Sequence, residues 1–128
     1  MSEDVKRFPE LKPIYEFASK LKSDYPDAAK AIDEWWSKAI TLSYYTRSCD
    51  LIGTLQAAAD FGFAKEELTN KIREEASKPE ISVIKSFDDA LAVQRKSFEL
   101  SSRLSDILRK LCGCKYEYPP PVEGPIKE

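Results

Sequence analysis

From Ser86 to Cys112 the chain runs SFDDALAVQRKSFELSSRLSDILRKLC, twenty-seven residues without a proline or a glycine. At ~100° per residue its apolar side chains (Phe87, Leu91, Val93, Phe98, Leu100, Leu104, Ile107, Leu108 and Leu111) cover an arc near 200° of a helical wheel, with Ser97, Ser101 and Ser105 inside it. A face that wide must meet more than one neighbouring helix, and the small serines permit close approach. The segment therefore predicts an all-α bundle with this helix at its centre. Ser86 with Asp89 reads as a capping pair, acid precedes base along the segment, and Gly113 ends it.

Proline and glycine divide the rest into helical pieces. Pro9 and Pro13 open a short amphipathic segment carrying Leu11, Ile14, Tyr15, Ala18 and Leu21 at helical spacing. In DYPDAAKAIDEWW, Asp27 is the expected N-cap of a second helix, whose apolar arc takes in both Trp35 and Trp36. Tyr44 and Tyr45 fall on the opposite, polar side. Beyond them Leu51, Ile52, Leu55, Ala58 and Ala59 define a new face about 150° from the first. Either the helix breaks between Thr46 and Asp50, where Thr46, Ser48 and Asp50 offer caps, or one long helix packs its halves against different layers. Gly62 closes this region, and KEELTNKIREEA follows as a charged helix with Phe63, Leu68 and Ile72 as its inner edge, ending before Pro79. The sequence predicts a single-domain bundle of four to five helices over residues 1–115. A proline-rich extended tail follows over 116–128, where Pro119, Pro120 and Pro121 exclude helix.

A chain of 128 residues can bury roughly two thirds of its unfolded surface. It needs neither a disulfide nor a metal to fold. Three cysteines, an odd number, together with no recognisable leader and no apolar run of ~18 residues, point to a reducing cytoplasm and no membrane partner. Histidine is absent, which removes Ser–His and Cys–His pairs and the histidine ligands of bundle metal sites. Cys49, Cys112 and Cys114 are short of a zinc tetrahedron and read as ordinary thiols. Glu66, Glu67, Glu74 and Glu75 read as a solvated helix face rather than the acidic cluster of a magnesium-dependent nucleotide hydrolase. The expectation is a non-enzyme with no catalytic residue, metal or cofactor. Scarce labile residues beside 33% charged ones fit a thermophilic source.

The net charge of −2 gives no global attraction to nucleic acid, but residues 90–115 carry six basic against two acidic residues. Lys96, Arg103 and Lys110 recur every seven residues along one edge, beside Arg95, and could meet successive phosphates. Glu99 precedes Arg103 by four and Asp106 precedes Lys110 by four, so plain intrahelical pairing is the competing account. Tyr44 and Tyr45 beside Arg47 suit base stacking, a protein interface or burial at the junction.

The stretch LSYYTRSCDLIGTLQAAADFG resembles the small α-helical subunits of archaeal type I-A CRISPR surveillance (Cascade) complexes. The resemblance implies a non-catalytic subunit that packs against other protein subunits of a ribonucleoprotein complex. It would help hold guide RNA or the target and displaced DNA strands through backbone contacts. Arg47, Arg95, Lys96, Arg103 and Lys110 would meet phosphates, and Tyr44, Tyr45, Tyr116 and Tyr118 would meet neighbouring subunits. A rival reading is a protein–protein adaptor without a nucleic-acid role, docking through the tyrosine junction and the proline tail. A second copy of the chain is a further candidate partner.

Overall fold

The computed structural model describes residues 2–76 and 83–112, and these are helical nearly throughout. Their order is α1 (Ser2–Arg7), a 3-10 turn (Pro9–Leu11), α2 (Lys12–Asp24), a second 3-10 turn (Pro26–Ala28), α3 (Ala29–Arg47), α4 (Leu51–Glu75) and α5 (Val83–Cys112). The all-α expectation holds. The tail, with Tyr116, Tyr118 and Cys114, and the expected stops at Gly113 and Pro79 lie outside the described residues.

Trp35 on α3 is fully buried at the point where four helices meet. Its ring stacks on Phe61 of α4 at 5.9 Å and meets the edge of Phe17 of α2 at 6.2 Å. Its indole N–H donates to Ser97 Oγ of α5 at 3.0 Å, meeting the requirement that a buried indole donor find an acceptor. Around it pack Leu11, Ile14, Leu21, Ile32, Leu68, Ile72, Val93 and Leu100. Trp36 is buried as well, against Tyr15 at 5.6 Å. Both tryptophans are core, as their shared arc predicts.

The junction after α3 is a true break. α3 ends at Arg47, Cys49 takes a left-handed φ of 57°, and Asp50 caps α4 by accepting from the Gly53 N–H at 2.9 Å. A β-carbon at Gly53 would lie 2.6 Å from the Tyr45 ring and 2.8 Å from the Asp50 carboxylate, so the tight turn requires glycine there.

Four local expectations are corrected. Asp27 does not cap α3, because Pro26–Ala28 winds into a 3-10 turn and no side chain caps either element. Gly62 does not end a helix, since α4 continues through it to Glu75, one glycine costing only ~1 kcal/mol in a helix that packing supports. Phe63 points to solvent while Leu68 and Ile72 are buried. Ser86 is not a cap, because α5 begins at Val83 and places Ser86 on its buried side. Asp89 accepts instead from the Tyr25 hydroxyl at 2.7 Å and from Lys85 at 3.1 Å.

The cysteines depart furthest from expectation. Cys49 and Cys112 form a disulfide with their α-carbons 5.8 Å apart, fastening the α3–α4 junction to the end of α5 across 63 residues. Two of the three thiols are therefore not ordinary, and the cytoplasmic expectation loses the support it drew from free thiols, since disulfides belong to oxidising compartments and to intracellular proteins of hyperthermophiles. No described helix is long and apolar enough to cross a membrane. Closing a loop of that length restricts the unfolded chain by up to ~4 kcal/mol. Cys49→Ser, or a reductant added to the wild type, is expected to lower stability by about 2–4 kcal/mol in chemical denaturation, with no further effect of reductant on the variant.

A second tie joins the start of α5 to the end of α2. Lys85 bridges Asp24 at 3.0 Å and Asp89, and lies over the buried Tyr25 ring at 5.3 Å. Burial and the Asp89 bond raise the Tyr25 phenol above its ordinary value, and the bonds to Asp24 and Asp89 raise Lys85. Both shifts are upward, so the folded chain holds these protons more tightly than the unfolded chain. Their contribution is complete below about pH 10 and is lost as pH climbs through the raised folded values. Urea midpoints of the wild type are expected to fall above about pH 10, and Lys85→Met with Tyr25→Phe is expected to flatten that alkaline limb.

Candidate functional site

Of the five basic residues on which phosphate contact was expected, Arg47 ends α3 and Arg95, Lys96, Arg103 and Lys110 lie on α5. Arg47 makes a forked pair with Glu10, Nη2 to Oε1 at 2.7 Å and Nε to Oε2 at 3.4 Å. The Glu10 side chain is only 4% exposed, so Arg47 neutralises a nearly buried carboxylate. Lys96 and Arg103 line a small recess with that same Glu10, Ile14 and Leu100. Arg47, Lys96 and Arg103 thus lie near Glu10 of the first 3-10 turn, and Glu99 lines the same recess. Lys96 also pairs with Glu99 at 3.9 Å, and Asp106 pairs with Arg109 rather than Lys110. Glu99 and Asp106 thus pair with i±3 neighbours rather than with Arg103 and Lys110, leaving Arg95, Arg103 and Lys110 exposed and without an ion pair among the described residues.

Tyr44 is half exposed and lies edge-on to Tyr45 at 5.3 Å, while Tyr45 is partly buried over Gly53. Tyr45 serves the junction, leaving Tyr44 as its accessible ring.

A different feature is an apolar furrow of about 470 Å³ between α4 and α5. Leu42 and Thr46 of α3 form part of its lining, Leu51, Leu55 and Ala58 one wall, and Phe98, Ser101, Ser105 and Leu108 the other. It exists because the two helices splay. Thr69 shares a helix direction with Leu51, five turns further along α4, at ~100° per residue. Thr69 is buried whereas Leu51 is exposed. The furrow thus lies along the Leu51–Ala58 half of α4, whereas Thr69 further along is buried.

Apolar side chains continue out of the furrow along both helices. On α5, Ile84, Phe87, Leu91 and Phe98 fall within an arc of about 60°, and all four are exposed, Phe98 by 76%. On α4, Leu51, Leu55, Ile52 and Phe63 spread from the furrow to the outward side, Ile52 exposed by 77% and Phe63 by 72%. The wide arc of α5 is thereby divided. Val93, Leu100, Leu104 and Leu108 serve the core, and Phe87, Leu91, Phe98 and Leu111 do not. The three phenylalanines, at ~150–250 Å² of side chain each, alone expose about 400 Å². A typical monomer's largest apolar patch is of that size before the aliphatic residues are added. Phe87, Leu91 and Phe98 belong to the apolar arc that periodicity identifies, which is too broad to tell inward from outward, whereas Ile84 precedes the helix start expected at Ser86.

No group of three or more metal-binding side chains comes together among the described residues. Glu75 is buried while Glu66, Glu67 and Glu74 are exposed, so these glutamates do not converge on one face. No protein-family model, curated protein or solved structure matches the chain.

Removing Arg47 would leave Glu10 without its partner. Arg47→Ala is expected to cost about 1–3 kcal/mol in urea denaturation, Arg47 being partly solvent-screened, and Glu10→Gln in the same background is expected to recover most of the loss.

Proposed function

We propose that the chain is a non-catalytic helical interaction module whose working surface is the α4–α5 face and whose ligand is protein. The observation that carries this reading is the continuous exposed apolar band from Leu51 and Leu55 across the furrow to Leu91 and Phe98. Exposed apolar area on this scale, rimmed by polar residues, marks association surfaces. The furrow's lining is mainly aliphatic and aromatic with serine and threonine hydroxyls, and its two charged residues, Asp106 and Arg109, pair with each other, which suits an amphipathic helix with an apolar face.

The accessory-subunit reading suggested by the resemblance is compatible with this surface and draws on a separate observation. Arg95, Arg103 and Lys110 are exposed along α5 without ion-pair partners among the described residues. In a nucleoprotein assembly the apolar face would seat against a neighbouring subunit, and these cations would remain for phosphate oxygens. Arg47 would contribute less, being held by Glu10.

Both readings are tested by tagged wild type and Phe98→Glu recovered from the native host at low salt, with proteins identified and RNA extracted. Phe98 is 76% exposed, so the substitution is expected to leave the helical content unchanged. Partner proteins present with the wild type and absent with the variant are expected; identical recoveries would overturn the docking reading. Small guide-type RNAs that are lost with Arg103→Glu combined with Lys110→Glu would add the nucleic-acid role, and their absence would remove it.

A further inference from the structure

We infer that the α4–α5 face is a self-association surface and that its occupant is a second copy of this chain, joined about a two-fold axis as a four-helix interface. This rests on the docking reading above and names the partner.

The pattern of exposed residues is that of helix pairing. On α5, Ile84, Leu91 and Phe98 recur every seven residues with Phe87 between, the narrow seam of helices that pack side by side. On α4, Ile52, Leu55, Ala59 and Phe63 follow at spacings of three and four. One protomer thus presents two adjacent antiparallel helices, both with outward seams. That is half of a four-helix bundle, and an identical half completes it. Gly62 lies inside α4 with nothing within 4 Å of where a β-carbon would stand. A glycine there weakens the helix by ~1 kcal/mol relative to alanine and does nothing for the protomer, whereas a closely approaching second copy would use the space.

Charge selects the copy. The disulfide sets the antiparallel register, so residues counted equally far from Cys49 along α4 and back from Cys112 along α5 stand at about the same height. Glu66 lies seventeen residues beyond Cys49, and Arg95 seventeen before Cys112. Arg73 lies twenty-four beyond Cys49, and Asp88 twenty-four before Cys112. All four are exposed on the outward sides of their helices. With the two-fold axis along the furrow, α4 of each copy lies beside α5 of the other at unchanged height. Glu66 then meets Arg95 of the other copy, and Arg73 meets Asp88, so four opposite-charge pairs flank the apolar seam. The area is adequate. The phenylalanines contribute about 400 Å² per protomer, and the exposed Ile52, Leu55, Ile84 and Leu91 carry the face towards the ~800 Å² per partner of a stable interface.

Light scattering and sedimentation equilibrium on the full untagged chain from about 1 to 100 µM test this directly, a range that brackets a micromolar Kd. A mass of twice the monomer is expected, with Phe98→Glu and Leu91→Glu each giving a monomer of native helical content. Glu66→Arg and Arg95→Glu are each expected to raise the dimer Kd about tenfold or more, and the double variant to recover most of it; no merely structural role predicts that recovery. A monomeric wild type at the highest concentration would overturn the inference, as would a dimer indifferent to Phe98→Glu. A full-length monomer that dimerises once truncated after Cys112 would also overturn it, assigning the furrow to the chain's own tail. Should the wild type be monomeric while Phe98→Glu still loses host partners, the docking reading stands and the second copy falls.

Discussion

The hydrogen bond from the Trp35 indole to Ser97 fixes the rotation of α5, and the exposed surface follows from that rotation. An indole buried completely must place its single donor on an acceptor, and Ser97 is a small hydroxyl within the apolar arc of α5. Once Ser97 faces Trp35, the residues sharing its direction, Ala90, Val93, Leu100 and Leu104, go inward. Ile84, Phe87, Leu91 and Phe98 lie about 80–140° away at ~100° per residue and face outward. The outward phenylalanines are a geometric consequence of one satisfied donor, not a failure of the core to close.

The junction and the disulfide determine the shape of what lies outward. Asp50 starts α4 in a direction independent of α3, and the Tyr45 ring against Gly53 holds that turn. The Cys49–Cys112 bond holds α5 to the junction while Leu42 and Thr46 of α3 back the gap between α4 and α5. At the opposite end Tyr25, Asp24 and Asp89 anchor the beginning of α5 through Lys85. With both ends of α5 tied, the splay between α4 and α5 is built into the fold, and the furrow is preformed. Preformed surfaces lose less ordering entropy on association than surfaces that must be assembled.

Helix existence and much of the core were legible in the sequence because they depend on local periodicity. Trp35, Trp36, Leu11, Ile14 and Leu21 lie where their spacing predicts, and the change of face at Tyr44 located the break. What failed depends on tertiary partners. Gly62 is a helix stop by local rules, yet α4 passes through it because Phe61, Ala64 and Leu68 are buried on either side. Ser86 and Asp89 have the spacing of a cap, yet Tyr25 and Lys85 from outside that motif claim Asp89. Arg47 reads as a surface cation until Glu10, thirty-seven residues earlier, is brought beneath it. An odd cysteine count likewise obscured a pair 63 residues apart.

The two flanks of α5 therefore differ in what they demand of their surroundings. Towards the first 3-10 turn, Lys96 and Arg103 border Glu10 and Leu100 is buried, so that flank presents charge rather than apolar surface. Towards α4, polar rim residues surround apolar rings that are exposed among the described residues. A composition with 33% charged residues had ample means to place polar groups at Phe63, Phe87 and Phe98. Solvent-exposed phenylalanine contributes little to a monomer's stability and invites nonspecific association. Their concentration on one face, over two helices already held in antiparallel register, is physically economical only if that face is covered when the protein acts.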